Sequence, residues 1–217
     1  MIINHNLTAT TANNAMNSNS VKAASSMAKL SSGLKINKAA DDAAGLLRTS
    51  IRSRGLTLFL EPKALYNSPK AATPYPDDFE VPFGKAKIKK EGTDLTIITY
   101  GNTTHMCVEA AEQLQTEMNV SVEVIDLRSL IPLDKNAVLN SVKKTGKALV
   151  VHEDKVFSGF GGEIVSLITS EAFEFLDAPV KRVGSTFTPV GFNRILEKAI
   201  LPNTEKILAA AKELLEY

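Results

Sequence analysis

Between residues 95 and 216, strand-length apolar runs alternate with stretches of helical periodicity, and this alternation limits the possible folds most severely. The runs are Leu95-Thr96-Ile97-Ile98-Thr99-Tyr100, Val120 to Leu127, Ala148-Leu149-Val150-Val151 and Val180-Lys181-Arg182-Val183. Each is too short for a buried helix and is rich in β-branched residues. Between them, Cys107, Val108, Ala111, Leu114 and Met118 share one helical face. A short helix over Ala137 to Val142 follows Pro132, and another opens at Phe160 or Gly161 with Ile164, Leu167, Ile168, Ala172 and Phe175 inward. A final helix runs from about Asn203, which can cap it, with Ile207, Leu208, Ala211, Leu214 and Leu215 inward. Strand and helix in alternation give an α/β fold: a mainly parallel sheet, right-handed crossovers and helices on both faces, in three αβα layers.

The first 46 residues have a different character. Ala9, Ala12, Met16, Ala23, Met27, Leu30 and Leu34 fall on steps of three and four with Ser20 between, a thin seam of small side chains. Asn, Ser and Thr fill the rest and offer the backbone competing local hydrogen bonds, so this leader is expected to be helical only when partnered and otherwise disordered. After it, Leu46, Leu47 and Ile51 make a short helical face, and Leu56-Thr57-Leu58-Phe59-Leu60-Glu61 reads as a strand with no sheet to join. Residues 62–83 carry prolines at 62, 69, 74, 76 and 82 and read as an extended linker.

Charge and composition exclude several functions. Lysines 22, 29, 35 and 38 against Asp41 and Asp42 give the leader a net charge of +2, and the remainder carries −1, so no nucleic-acid surface is expected. One cysteine, Cys107, excludes an internal disulfide and a multi-thiolate metal site. No stretch approaches the ~18 apolar residues of a membrane span, and a cytoplasmic location is expected.

Candidate chemistry clusters at one strand end. His152-Glu153-Asp154 closes the third run, where parallel sheets collect ligands. The same side chains could instead bond neighbouring loops or a partner subunit, which is the simpler reading. Gly159, Gly161 and Gly162 sit between strand and helix as a phosphate loop would, but Ile164 occupies the third position of the dinucleotide fingerprint, so close packing explains them better. His105 has no second ligand at metal-binding spacing, and Cys107 lies on a core face. No catalytic, cofactor-binding or metal-binding residue is assigned.

Two resemblances divide the chain. Lys29-Leu30-Ser31-Ser32-Gly33-Leu34-Lys35-Ile36-Asn37 followed by Ala39-Ala40-Asp41-Asp42-Ala43-Ala44-Gly45-Leu46 resembles the amino-terminal segment of bacterial flagellins. Elsewhere, Glu91-Gly92-Thr93-Asp94, Glu123-Val124-Ile125-Asp126-Leu127-Arg128, Pro132-Leu133-Asp134, Ser141 to Gly146, Val151-His152-Glu153, Gly159 to Ile164, Asp177-Ala178-Pro179-Val180 and Leu201-Pro202-Asn203 resemble, in order, the β chain of thiamine-dependent 2-oxo acid dehydrogenases. Phe187 stands where that family commonly carries Asp, which leaves pyruvate and branched-chain substrates both open.

The resemblances imply a chimera: a flagellin-like leader (1–46), the remnant of a pyrimidine-binding domain (47–61), the linker (62–83) and a transketolase carboxy-terminal-type domain (84–217). In the resembled enzymes, thiamine diphosphate and magnesium are held by two domains that precede the retained one, so this chain alone is expected to bind neither and to be inactive. The retained domain implies subunit association, as a homodimer and with the parent α chain, and docking of the dihydrolipoyl acyltransferase. Glu213, Glu216 and Tyr217 at the chain end are the expected partner-binding residues, an acidic patch suited to a basic module. Filament assembly through the leader is the alternative.

Overall fold

A computed structural model describes residues 38–63 and 78–217, with side chains from 43 onward. The elements in order are α1 (Lys38–Arg52), β1 (Lys87–Lys90), β2 (Leu95–Thr99), α2 (Thr103–Met118), β3 (Val122–Asp126), α3 (Lys135–Thr145), β4 (Ala148–Lys155), α4 (Gly161–Glu171), β5 (Lys181–Ser185), α5 (Arg194–Ile200) and α6 (Thr204–Leu215). A 3-10 turn, Phe173–Phe175, follows α4.

The five strands form one sheet in the order β1-β3-β2-β4-β5. Pairings β2 with β3, β2 with β4 and β4 with β5 are parallel, and β1 alone runs antiparallel, against β3. Because side chains alternate across a strand, each central strand feeds two cores. Leu95, Ile97, Val122, Val124, Leu149 and Val151 meet α2 and α6 through Cys107, Leu114, Ile207 and Leu214. On the opposite face Ile98, Ile125 and Val150 meet α3 and α4 through Val138, Val142, Ile164 and Ile168. The expected three layers are therefore present. Truncating a fully buried side chain such as Leu214 to Ala should cost ~2–5 kcal/mol.

Helix ends follow from side chains that satisfy otherwise unpaired backbone groups. Asp134 caps α3 by accepting from Ala137 N, and its other oxygen accepts from Ala86 N, tying the segment before β1 to the start of the helix. Asn203 caps α6 by accepting from Lys206 N at 2.9 Å, as its sequence position suggested. Gly146 ends α3 with φ of 70°, a conformation that glycine adopts at low cost.

Helix α1 crosses the expected boundary at residue 46. Arg48 donates to Phe79 O and Thr49 to Val81 O, while Gly45 lies directly beneath Phe79 and Val81, so residues 79–81 pack along the helix. Residues 1–37 and 64–77, which include most of the leader and the linker, lie outside the described residues. The expected strand at 56–61 does not form among the described residues: Leu56, Leu58 and Leu60 are exposed at 103%, 82% and 74% and belong to no strand. Among the described residues no helix is long and apolar enough to cross a membrane.

Candidate functional site

Strands β2 and β4 are neighbours, yet the chain leaves them in opposite directions: α2 returns over one face to β3 and α4 over the other to β5. Their carboxyl ends therefore flank the crevice in which α/β sheets of this type hold ligands. Here Tyr100 and Asn102 come from the β2 end, and His152, Glu153 and Asp154 from β4.

The crevice is filled by the protein's own side chains. His152 has no exposed surface and stacks on Tyr100, with ring centroids 6.2 Å apart and planes at 5°. Phe160 closes on the edge of Tyr100 at 6.3 Å and 81°. Gly159, Gly161 and Gly184 surround the imidazole so closely that a Cβ on any of them would press on it. The three glycines thus let the backbone before α4 and within β5 lie against the ring.

The polar groups around the ring are engaged by loops. Asn102 Nδ2 donates to Glu153 Oε1 at 2.9 Å, joining the two strand ends. Ser185 Oγ donates to Glu153 O, and Arg182 donates to Val156 O at 2.8 Å, so β5 holds the loop that follows β4. Neither His152 nitrogen has a hydrogen-bond partner. Burial holds the imidazole below its ordinary pKa, against the opposing pull of the Asp154 charge. Burial and then Asp154 push the Tyr100 phenol up to about 12. At neutral pH the cluster therefore contains a neutral imidazole and a neutral phenol, both packed as apolar surface.

Cys107 is buried in the core beneath α2, and burial pushes its thiol up to about 12, far from nucleophilic character. His105 sits in the first turn of α2. Among the described residues no group of three or more His, Cys, Asp or Glu is arranged to hold a metal ion.

The chain end differs from the simple acidic patch its sequence suggests. Glu213 is paired with Lys181 of β5, and Lys212 bonds Glu117 of α2 at 2.9 Å, so acidic and basic groups interleave there. Glu216 and Tyr217 are exposed beyond the helix, whereas Leu215 packs against the core and its carbonyl accepts from Lys147.

Comparison with known proteins decides the family. Residues 84–207 match the transketolase C-terminal domain, from just before β1 into α6. The chain belongs to the transketolase C-terminal domain family. Residues 3–56 separately match the N-terminal helical region of bacterial flagellin, consistent with a chimera. Curated proteins similar to the chain include β subunits of 2-oxo acid dehydrogenases. The 2-oxoisovalerate dehydrogenase subunit beta of Bacillus subtilis is 39% identical over 177 residues, covering 81% of this chain and 54% of the relative. The mitochondrial pyruvate dehydrogenase E1 component subunit beta of Saccharomyces cerevisiae is 42% identical over 191 residues, covering 84% and 51%. The chain thus spans about half the length of these relatives. A solved structure described as a split gene transketolase, inactive beta4 tetramer, superposes with a TM-score of 0.56 at 27% identity, covering 65% of this chain and 45% of its own.

Within the transketolase C-terminal domain, sequence reading located His152, Glu153 and the glycine run but not Tyr100, Asn102 or Phe160 as their partners. Tyr100 ends an apolar strand, so nothing local marks it as the ring that His152 meets across two strands.

Proposed function

We propose that this chain is a non-catalytic association module derived from the β chain of a 2-oxo acid dehydrogenase. It joins copies of itself and dehydrogenase subunits, and it docks a dihydrolipoyl acyltransferase. The observation that carries this reading is the filled switch-point crevice: its one neutral imidazole is packed as apolar surface, and Glu153 beside it is bonded to Asn102. These residues do not fit thiamine diphosphate with magnesium, which needs room for a diphosphate and oxygen donors for the ion. Identity to pyruvate and 2-oxoisovalerate dehydrogenase β chains supports the complex, and both substrate classes suit the parent enzyme. The all-β tetramer of the similar transketolase supports self-association, with the α subunit of the parent complex a further partner.

For acyltransferase docking, the exposed Glu216 and the Tyr217 carboxylate are the groups that a basic module would meet, with Glu213 shared with Lys181. Since Leu215 packs against the core, the informative deletion removes only Glu216 and Tyr217. Pull-down by the peripheral subunit-binding module of an acyltransferase should weaken severalfold while the melting temperature holds. Retention unchanged by the deletion, or no capture of the intact chain, would reject docking at this end.

A filament role is favoured by the flagellin match alone. In the described part of that segment, α1 is already occupied by residues 79–81. Electron microscopy of the purified chain should show no filaments.

A further inference from the structure

Residues 56–60, Leu-Thr-Leu-Phe-Leu, follow α1 without helix, turn or ladder, and no backbone hydrogen bond joins them to a described residue. Leu56, Leu58 and Leu60 stand open to solvent, while Phe59 between them is half-buried. Ser53 Oγ and Thr57 Oγ1, 3.2 Å apart, tie the segment to the end of α1. In an extended chain the three leucines share one face, so a strand's worth of apolar side chains and unpaired backbone is presented outward. Two cations flank it: Arg54 and Lys63 are exposed, and among the described residues neither is paired. Glu61, the acid between them, is not free.

What can cover this segment is limited by its chemistry. A bilayer would take the leucines but leaves backbone N–H and C=O groups unsatisfied, which hydrocarbon does not tolerate. A second copy could pair with the backbone, but the charges oppose it. Antiparallel pairing centred on Leu58 puts Arg54 opposite the copy's Pro62 and next to its Lys63, and in-register parallel pairing puts each cation on its own copy. The complement is a foreign groove with an open strand edge for the backbone, apolar pockets for alternate side chains and an acidic rim for Arg54 and Lys63. We propose that residues 56–60 are a docking strand for a protein of that kind, a chaperone that holds extended apolar segments. Recognition needs no unfolding, because the leucines are already outside the core and the sheet of residues 87–185 keeps all its strands. The chaperone therefore holds the chain with its transketolase-type domain folded.

The test is calorimetric titration of the full chain, well below its melting temperature, with a purified ATP-dependent heat-shock chaperone of the peptide-groove class in its ADP state. Saturable binding is expected, and a synthetic peptide of residues 53–62 should compete for it. Leu58→Asp with Leu60→Asp should weaken binding ~10-fold or more at an unchanged melting temperature, since both side chains are exposed. Arg54→Glu with Lys63→Glu should weaken it too. Phe192→Asp, at an exposed aromatic outside the segment, should bind like the parent. No saturable binding, full binding by the leucine variant, or an equal loss in the Phe192 variant overturns the proposal. Capture by phosphatidylserine vesicles that the leucine substitutions abolish would overturn it in favour of a membrane. A dimer that they dissolve in sedimentation would overturn it in favour of a second copy. If the variants fail to fold, hydrogen exchange of the unaltered chain decides: amides of residues 56–60 should slow when the chaperone is added, and unchanged rates overturn the docking strand.

Discussion

Gly161 and His152 lie so close that a Cβ on the glycine would overlap His152 Nε2. Helix α4 begins at Gly161, and β4 carries His152, so the helix start is seated on the imidazole itself. Gly161→Ala must push the helix or the ring aside. An overpacking cost of ~1–3 kcal/mol is expected in urea denaturation. Gly162→Ala is the control. Its Cβ would meet only Arg182 Nη1, at 3.2 Å, a contact that a few tenths of an ångström of side-chain adjustment relieves, and its stability should stay within ~0.5 kcal/mol of the parent. Equal effects at the two positions would contradict the glycine cage.

The same burial makes His152 an acid-sensitive point. Its folded pKa is lowered, so below the ordinary imidazole value near 6.5 the unfolded chain binds a proton that the folded chain resists. Stability should therefore be fully present above that value and fall as pH drops beneath it, by up to ~1.4 kcal/mol per unit until the folded pKa is reached. His152→Phe keeps a ring for Tyr100 to stack on and should remove this contribution to the slope. Denaturation midpoints for both proteins at several pH values check the sign.

On β3, at the amino-terminal end of the strand, Glu123 is a buried carboxylate held by Lys144 and by Gly92 N. Burial alone would raise its pKa, but the bond from Lys144 outweighs it and keeps the carboxyl below its ordinary range. Lys144→Met should destabilise by ~1–3 kcal/mol, because the acid is left buried without its cation. Adding Glu123→Gln should recover part of that loss. A double-mutant cycle with no coupling would refute the pairing.

Much of the transketolase-type domain was legible because its physics is local. The parallel strands β2 to β4 are apolar runs, α2 and α6 keep helical spacing, and Asn203 announces its cap. Strand β1 was not legible, since Lys-Ile-Lys-Lys has no apolar alternation and forms only as an edge against β3. Lysines there also guard the edge against further pairing. Helix α5 escaped notice for the related reason that none of its seven residues is buried, so no apolar face marks it in the sequence. Leu56 to Leu60 misled in the other direction: strand-like composition does not make a strand without a neighbour to pair with. At the candidate site, His152 and the glycines were visible as types, but their mutual contact arises from the crossing of two strand ends and cannot be read from spacing.

The central claim, association without thiamine chemistry, is tested most directly by calorimetric titration of thiamine diphosphate into the purified full chain with and without magnesium. A chain that melts cooperatively and gives no saturable heat in either condition is the expected result. Saturable, magnesium-dependent binding of the cofactor would contradict the account.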